Sequence, residues 1–254
     1  MEPITAAADD PDRNLLFRSL PADARQRLRP KLERVELTLG SVLHEQNMRM
    51  EHVYFPTSAI VSKLYVTCSG VSTEVAIVGR DGVVGVSLFL GGETTTNRAV
   101  VQSSGLAYRI YGRALKKEFS SSPQVQRLLL RYTQALLTQM AQTVVCNRHH
   151  RVQQQLCRLL LMSMDLLDGD ELCMTQELIA NMLGVRREGV TEAARRLQEL
   201  GLIRYRRGHI TILDRPGLEA ACCERYEVVK RECGRLLPDL EADHTILQRP
   251  IQGR

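Results

Sequence analysis

The sequence predicts an α+β fold in which an antiparallel β domain is followed by a long helix and a C-terminal winged helix-turn-helix. Short apolar stretches separated by glycine or proline continue to about residue 112, as in a domain of short strands. From residue 124 to 168 neither glycine nor proline occurs, which favours helix. Residues 174–213 then combine two short amphipathic helices with an arginine-rich hairpin. A chain of 254 residues and 28.7 kDa suits two modest domains.

The composition is that of an ordinary water-soluble protein. Hydrophobic residues make up 44% and charged residues 25% of the chain. No apolar run approaches the ~18 residues that span a bilayer. Residues 1–13 also lack the basic and apolar regions of a secretion signal. We therefore expect a cytoplasmic protein without a membrane partner.

The β domain is predicted over residues 14–122. Its N-terminal part, Leu15–Leu32, has a helical pattern. The β-branched stretches that follow have turn signals between them, which is typical of an antiparallel sandwich or barrel. The predicted strands are Arg34–Leu39, Glu51–Phe55, Ile60–Val66, Thr73–Val78, Ala99–Val101 and Leu106–Tyr111.

A long amphipathic helix is predicted over residues 123–147. Its seam recurs at three- and four-residue steps and consists of Leu129, Tyr132, Leu136, Met140, Thr143 and Asn147, with Leu130, Leu137 and Val144 beside it. Such a seam suits a coiled-coil dimer contact. From periodicity alone, a helix that packs only within its own domain is equally consistent.

The segment Met174–Leu213 predicts a helix-turn-helix. Thr175 can cap a first helix whose apolar residues include Ile179 and Met182, and Gly184 permits a tight turn. A second helix is expected from about Arg186 to Leu200. A polar stripe at positions i, i+1, i+4, i+5 and i+8 remains outside its predicted core: Arg187, Glu188, Thr191, Glu192 and Arg195.

The second helix of a helix-turn-helix enters the major groove of DNA with its N-terminal residues toward the bases. After this helix, two short β stretches flank Arg206-Arg207-Gly208-His209, as in the wing of a winged helix. Residues 186–209 contain seven arginines and three glutamates, or 7 − 3 = +4 of a chain that carries +5. The predicted DNA-binding residues are Arg186, Arg187, Glu188, Thr191, Glu192, Arg195, Arg206 and Arg207.

The order of β domain, long helix and winged helix resembles the CRP/FNR superfamily of bacterial transcription regulators, over roughly residues 14–214. Arg187 and Glu188 match the first two base-reading positions of that family. The third position is often arginine and is Glu192 here, which implies a different base preference.

The resemblance implies a jelly-roll-like sensor domain, a dimerisation helix and a DNA-binding domain over residues 148–237. It also implies a homodimer joined along residues 123–147, with Leu129, Tyr132, Leu136, Met140 and Thr143 in the interface. A signal in the β domain would then reorient the two DNA-binding domains. The expected partners are double-stranded DNA, a second copy of the chain and, for an activator, RNA polymerase.

The usual cyclic-nucleotide site of the family is altered in this sequence. The residues at its expected place are Gly82, Gly85, Thr95, Thr96 and Arg98. Val86 stands where the family has a glutamate for the ribose hydroxyl, and Thr95 and Thr96 stand at the Arg-Ser/Thr pair. Valine accepts no hydrogen bond and threonine neutralises no phosphate. We therefore expect no cofactor, although a cyclic nucleotide or dinucleotide would fit if Arg98 entered the pocket.

This sequence also lacks the signature residues of the other sensor types in this family. The first cysteine is Cys68, whereas the iron–sulfur type needs an N-terminal cluster. His44 and His52, the candidate haem ligands, are expected on the surface. In a predicted C-terminal helix, Pro216–Leu237, Cys222 and Cys233 are expected to pack on the apolar face.

The seven cysteines are expected to be reduced and to pack as small hydrophobic residues. No two of them have the CxxC spacing of a zinc site, and His149 and His150 lie about 100° apart on a helix. A redox or metal role is the alternative.

A second functional hypothesis is a nucleotide-sensing module that acts through protein partners. Its affinity for those partners would not depend on DNA and would persist at high salt. No nucleophile–base pair, phosphate-binding glycine loop or metal constellation supports an enzyme.

Overall fold

Two antiparallel sheets form the β domain in a computed structural model that describes residues 10–167, 169 and 171–238. The strands are β1 (Glu33–Leu37), β2 (Val42–His44), β3 (His52–Pro56), β4 (Ile60–Val66), β5 (Ser72–Val78), β6 (Arg98–Ser103) and β7 (Gly105–Tyr111). Their orders in the two sheets are β1-β7-β3 and β2-β6-β4-β5. This confirms the predicted fold class and the six predicted strands, and adds β2, a three-residue strand too short for pattern analysis.

Short helices close the β domain: α1 (Leu15–Arg18), α2 (Ala22–Leu28) and α3 (Ser87–Leu90). The predicted helical stretch Leu15–Leu32 contains two of them, because Pro21 cannot continue a helix. Phe17 is fully buried and meets Phe55 edge-on, with ring centroids 5.4 Å apart. Asn14 caps α1 by accepting from the Phe17 N–H, and its amide donates to the carbonyls of Pro56 and Gly82, each at 2.8 Å.

The long helix follows a short one: α4 (Gly112–Ser121) and α5 (Pro123–His149). Ser122 caps α5, and Pro123 occupies the first turn, where its missing N–H costs nothing. A two-residue break at His150-Arg151 separates α5 from α6 (Val152–Asp165), although neither residue is glycine or proline. Both have extended backbone angles, and the Arg151 N–H donates to the side chain of Gln154.

The predicted dimer seam is wrong, because α5 uses these side chains to pack against its own chain. Leu129 is fully buried, and Tyr132, Leu136 and Thr143 are at most 6% exposed. Met140 packs at the edge of the same core. The intramolecular alternative therefore holds for these residues, and the outward face of α5 carries different ones.

The C-terminal part has its own hydrophobic core and a sheet with the order β8-β10-β9. Besides α6, its elements are β8 (Glu171–Cys173), α7 (Gln176–Leu183), α8 (Arg187–Glu199), β9 (Ile203–Arg206), β10 (His209–Ile212), α9 (Arg215–Ala221) and α10 (Arg225–Leu236). No helix among the described residues is long and apolar enough to cross a membrane.

The predicted C-terminal helix Pro216–Leu237 is wrong as one element. Residues 222–224 separate α9 from α10, and the Cys222 backbone is extended. This break lets α10 pack along α5, so that Leu236 and Leu237 join the core of the β domain. Cys233 packs at that core and Cys222 at the other, as the packing hypothesis expects.

The C-terminal part contacts the β domain through α6 and α7. The amide of Gln102 on β6 donates to the hydroxyl of Ser163 at 3.0 Å, and both side chains are buried. Ile60, Ile77 and Leu166 form a small apolar cluster beside this bond.

Candidate nucleic-acid interface

Helix α7 positions the helix that follows it. The Thr175 hydroxyl accepts from the Leu178 N–H at 3.1 Å and caps the first turn. The helix ends at Gly184, whose φ of +66° lies in the left-handed region that glycine adopts without strain. The Val185 N–H donates to the Ala180 carbonyl, which completes the tight turn into α8.

Helix α8 has one apolar face and one exposed polar face. Val190, Ala193, Ala194 and Leu197 are buried in the C-terminal core. The sequence-predicted polar stripe, Arg187, Glu188, Thr191, Glu192 and Arg195, is exposed together with Arg186 at the cap. The helix thus presents its stripe outward while its other face is fixed by packing.

The members of the stripe differ in their partners. Thr191 donates to the side-chain oxygen of Gln176 at 2.8 Å and links α8 to α7. Glu192 forms an ion pair with Arg196 at 2.5 Å, and Arg195 forms one with Glu199. No hydrogen bond or ion pair engages the Arg187 or Glu188 side chain within the described part of the chain. These two side chains are therefore available to a ligand.

The wing is a β-hairpin with a two-residue turn. Arg207 and Gly208 form this turn with φ values of +52° and +86°, as a type I′ turn requires. Tyr205 anchors the hairpin: its hydroxyl donates to the Met174 carbonyl at 2.7 Å, and its N–H donates to Gln198 at 2.9 Å. Arg206 and Arg207 are exposed at the tip.

Exposed guanidinium groups on the cap of α8 and on the wing make this surface basic. Among described residues, the side chains of Arg186, Arg204, Arg206 and Arg207 have no intramolecular ion pair. Because unpaired arginines can bind phosphate bidentately, the surface suits a polyanion. Arginine and glutamate side chains such as Arg187 and Glu188 are chemically suited to bind guanine and the amino group of cytosine, respectively.

The residues at the expected nucleotide site are constrained by packing, backbone conformation or hydrogen bonds within the chain. An alanine Cβ at Gly82 would come within 2.3 Å of the Tyr132 hydroxyl, and Gly85 has a φ of +104°. The Thr96 hydroxyl contacts Tyr65, and the Thr95 hydroxyl accepts from the Asn97 N–H.

Arg98 and the histidines nearby also have partners. The Arg98 guanidinium forms an ion pair with Glu45 at 3.0 Å. His44 is buried rather than on the surface as expected, and one ring nitrogen bonds the His52 carbonyl at 2.8 Å. Burial lowers the pKa of His44, so a neutral ring is favoured.

The outward face of α5 carries an apolar stripe that lies beside the predicted seam. Leu130, Leu137 and Val144, hereafter the outer stripe, are 46%, 60% and 60% exposed. Their spacing of seven residues is the signal that could have identified them. Periodicity could not say which of two adjacent apolar stripes the β domain covers.

Comparison with protein-family models finds a match within the C-terminal half of the chain. Residues 154–221 match the family model of the Crp-like helix-turn-helix domain. No curated protein sequence matches the chain.

Solved structures share the fold of about three quarters or more of this chain. A transcriptional regulator of the Crp/Fnr family from Eubacterium rectale has 19% identity and a TM-score of 0.65, over 83% of this chain and 98% of that one. FixK2 from Bradyrhizobium japonicum has 17% identity and a TM-score of 0.66, over 76% and 98% of the two chains. The c-di-GMP responsive regulator CLP of Xanthomonas campestris has 16% identity and a TM-score of 0.59, over 76% and 99%.

Helices α7 and α8 with the β9–β10 hairpin form a winged helix-turn-helix. The comparisons therefore show a Crp-like helix-turn-helix domain over residues 154–221 and, over the covered part of the chain, the fold of Crp/Fnr-family regulators.

Proposed function

We propose that this chain is a DNA-binding transcription regulator of the CRP/FNR type. It would act as a homodimer in which each subunit places α8 in the major groove of one operator half-site. Arg187 and Glu188 carry the proposal, because they are exposed at the start of α8 and have no intramolecular side-chain partner among the described residues. Arg187 would donate to guanine, and Glu188 would accept from cytosine. In a symmetric dimer the half-sites would lie about 34–36 Å apart, one turn of DNA.

Glu192 gives this helix a specificity of its own. Its ion pair with Arg196 holds the carboxylate on the helix surface. An acidic residue repels phosphate and accepts only from a base amino group, so we expect its DNA contact to differ from that of an arginine.

Arg206 and Arg207 would bind the phosphate backbone beside the groove, and Arg186 and Arg195 would bind it along α8. Such contacts add affinity and salt dependence without sequence information. At operators from which the protein activates, RNA polymerase would be a further partner.

The β domain would act as a sensor that does not bind a cyclic nucleotide by the usual contacts. Two observations support this: Val86 offers no hydrogen-bonding side chain, and Arg98 is engaged by Glu45. The alternative of a module that acts only through proteins is not favoured, because the matched domain is a helix-turn-helix.

The test is selection of bound sequences from a random DNA library, followed by titration of the best site. We expect Arg187→Ala to lose about 1–3 kcal/mol of discrimination at one base pair of each half-site. Arg235→Ala is the matched control, since it removes an exposed arginine from α10. An unchanged sequence preference in Arg187→Ala would exclude α8 as the recognition helix, and binding that ignores salt would exclude DNA as the ligand.

A further inference from the structure

Two cysteines and a histidine meet where the long helix joins the DNA-binding half. The Sγ atoms of Cys146 and Cys223 lie 3.5 Å apart, and both residues are buried. One ligand atom each from Cys146, Cys223 and His150 can be chosen so that all three lie within 4.8 Å of one another. We call these three residues the thiol cluster.

The cluster combines residues that are distant in sequence. Cys146 lies in the last turn of α5, and His150 caps that helix four residues later, where its backbone N–H donates to the Cys146 carbonyl. Cys223 lies in the break between α9 and α10. The i, i+4 pair is a recognisable ligand spacing, but its third member lies 77 residues away and only the fold brings it close.

The separation of the sulfur atoms fits joint coordination of a metal ion. With Zn–S bonds of about 2.3 Å, two sulfurs at tetrahedral angles lie about 3.8 Å apart. The observed 3.5 Å therefore needs only a small adjustment. A disulfide would require the same atoms to approach to about 2.05 Å.

The environment of His150 has the polarity expected around a metal ligand. Its Nδ1 atom is buried and has no hydrogen-bond partner within the described residues. Its Nε2 atom lies 3.4 Å from a carboxylate oxygen of Glu224. A carboxylate on the second ring nitrogen is the usual support for a zinc-bound histidine, because it fixes the tautomer and orients the ring.

A further sulfur is available beside the cluster. The Cys222 thiol is hydrogen-bonded to Cys223, so its sulfur or a water molecule can complete four-coordination.

We propose that Cys146, His150 and Cys223 form a binding site for Zn²⁺ or a similarly thiophilic divalent ion. Two thiolates and one imidazole are ligands that zinc prefers. A bound ion would fasten the end of α5 to the α9–α10 break, and thus the proposed dimer helix to the DNA-binding half.

The test loads the purified, reduced full-length protein with Co²⁺ or Zn²⁺. We expect one ion per chain by elemental analysis and a thiolate-to-cobalt charge-transfer band. Cys146→Ser and Cys223→Ser should each remove the band and weaken zinc binding by at least about 100-fold, since loss of even a supporting residue costs 10–100-fold. Circular dichroism reports whether each variant folds.

His150→Asn keeps both thiols and tests the site if a serine variant does not fold. It should weaken binding and shift the cobalt spectrum. Two cysteines serve as controls: Cys68, which is exposed between β4 and β5, and Cys173, whose Sγ lies 3.5 Å from His209 Nδ1. Their serine variants should bind one ion like the parent.

Three results would overturn the proposal. One is a folded, reduced parent protein that takes up no cobalt or zinc. Another is loss of the ion from Cys173→Ser but not from Cys146→Ser. The third is a Cys146–Cys223 disulfide found by mass analysis in a protein that binds no metal after reduction.

Discussion

At the scale of single residues, Gly82 is required by a close approach of helix α5. An ideal Cβ at this position would lie 2.3 Å from the Tyr132 hydroxyl oxygen. That hydroxyl donates to the Val83 carbonyl at 3.2 Å and is buried, so it cannot move without losing its partner. The glycine thus allows the loop after β5 to pack directly under α5.

We predict that Gly82→Ala lowers the free energy of unfolding by about 1–3 kcal/mol, because overpacking displaces Tyr132. Denaturant-induced unfolding is the measurement. Gly92→Ala is the control, since its nearest atom, Cβ of Ser87, would be 3.5 Å away, an ordinary contact. Equal losses in both variants would contradict the steric explanation.

Arg207 combines an unfavourable backbone with a useful charge. Its φ of +52° lies in the left-handed region, which costs most residues about 1–2 kcal/mol but suits asparagine. We predict that Arg207→Asn keeps or raises the melting temperature yet weakens DNA binding. The logarithmic salt dependence should become shallower by about 0.9 per lost phosphate contact.

DNA titrations at several salt concentrations measure the effect of Arg207→Asn. Arg49→Asn removes another exposed charge, this one from the β domain, where Arg49 pairs with Glu93 at 3.0 Å. That control should leave the salt dependence unchanged. A wing variant with unaltered affinity and slope would show that Arg207 does not contact DNA.

At the scale of elements, α5 has two apolar faces, one buried by the β domain and one exposed. The inner face, with Leu129 and Tyr132, is buried by the β domain. The outer stripe repeats every seven residues and is about half exposed, which is the pattern of a coiled-coil partner surface. A second copy of α5 is the partner that this repeat fits.

We predict that Leu137→Glu converts the proposed dimer to a monomer, because two buried carboxylates would face each other across the helix pair. Sedimentation or light scattering measures the mass. The DNA affinity should fall as the second half-site contact is lost. Leu90→Glu is a matched control, since Leu90 is 47% exposed on α3, outside α5. A Leu137→Glu protein that stays dimeric would place the interface elsewhere.

At the scale of the whole molecule, a polar network joins the β domain to the DNA-binding half. The Ser62 hydroxyl lies 2.6 Å from Glu74 Oε2 and 2.9 Å from Gln102 Oε1, and Gln102 donates to Ser163 on α6. Ser62 has one hydrogen for two acceptors. A protonated Glu74 that donates to Ser62 satisfies both, and burial raises the pKa of Glu74 to about 8.

This raised pKa predicts a loss of stability as pH rises. Below the ordinary value of 4.5 the carboxyl is protonated in both states and contributes no pH dependence. Between there and about 8 the unfolded chain releases the proton while the folded chain keeps it, so unfolding becomes more favourable. One such group contributes at most about 1.4 kcal/mol per pH unit.

We predict that Glu74→Gln removes this pH dependence, so that the variant gains stability relative to the parent from pH 5 to 8. Unfolding curves at several pH values provide the measurement. Glu33→Gln should behave oppositely, because Arg109 lowers the pKa of Glu33 and its contribution is lost only in acid. A constant difference between Glu74→Gln and the parent across this range would show that Glu74 is ionised in the folded state.

The sequence alone determined the features that depend on neighbours in the chain. Period-two stretches specified the strands, and helical spacing with Thr175 and Gly184 specified the helix-turn-helix. The exposed stripe on α8 followed as well, since residues left outside one helix core must face away from it.

Only the tertiary structure decided which surfaces meet. Packing against the β domain selected the inner face of α5 over the outer stripe, because both have helical periodicity and burial depends on what lies opposite. The break near Cys222 likewise serves the packing of α10 on α5. Cys146, His150 and Cys223 form a site only because of this packing. It brings the Sγ atoms of Cys146 and Cys223, which are 77 residues apart in the sequence, to within 3.5 Å.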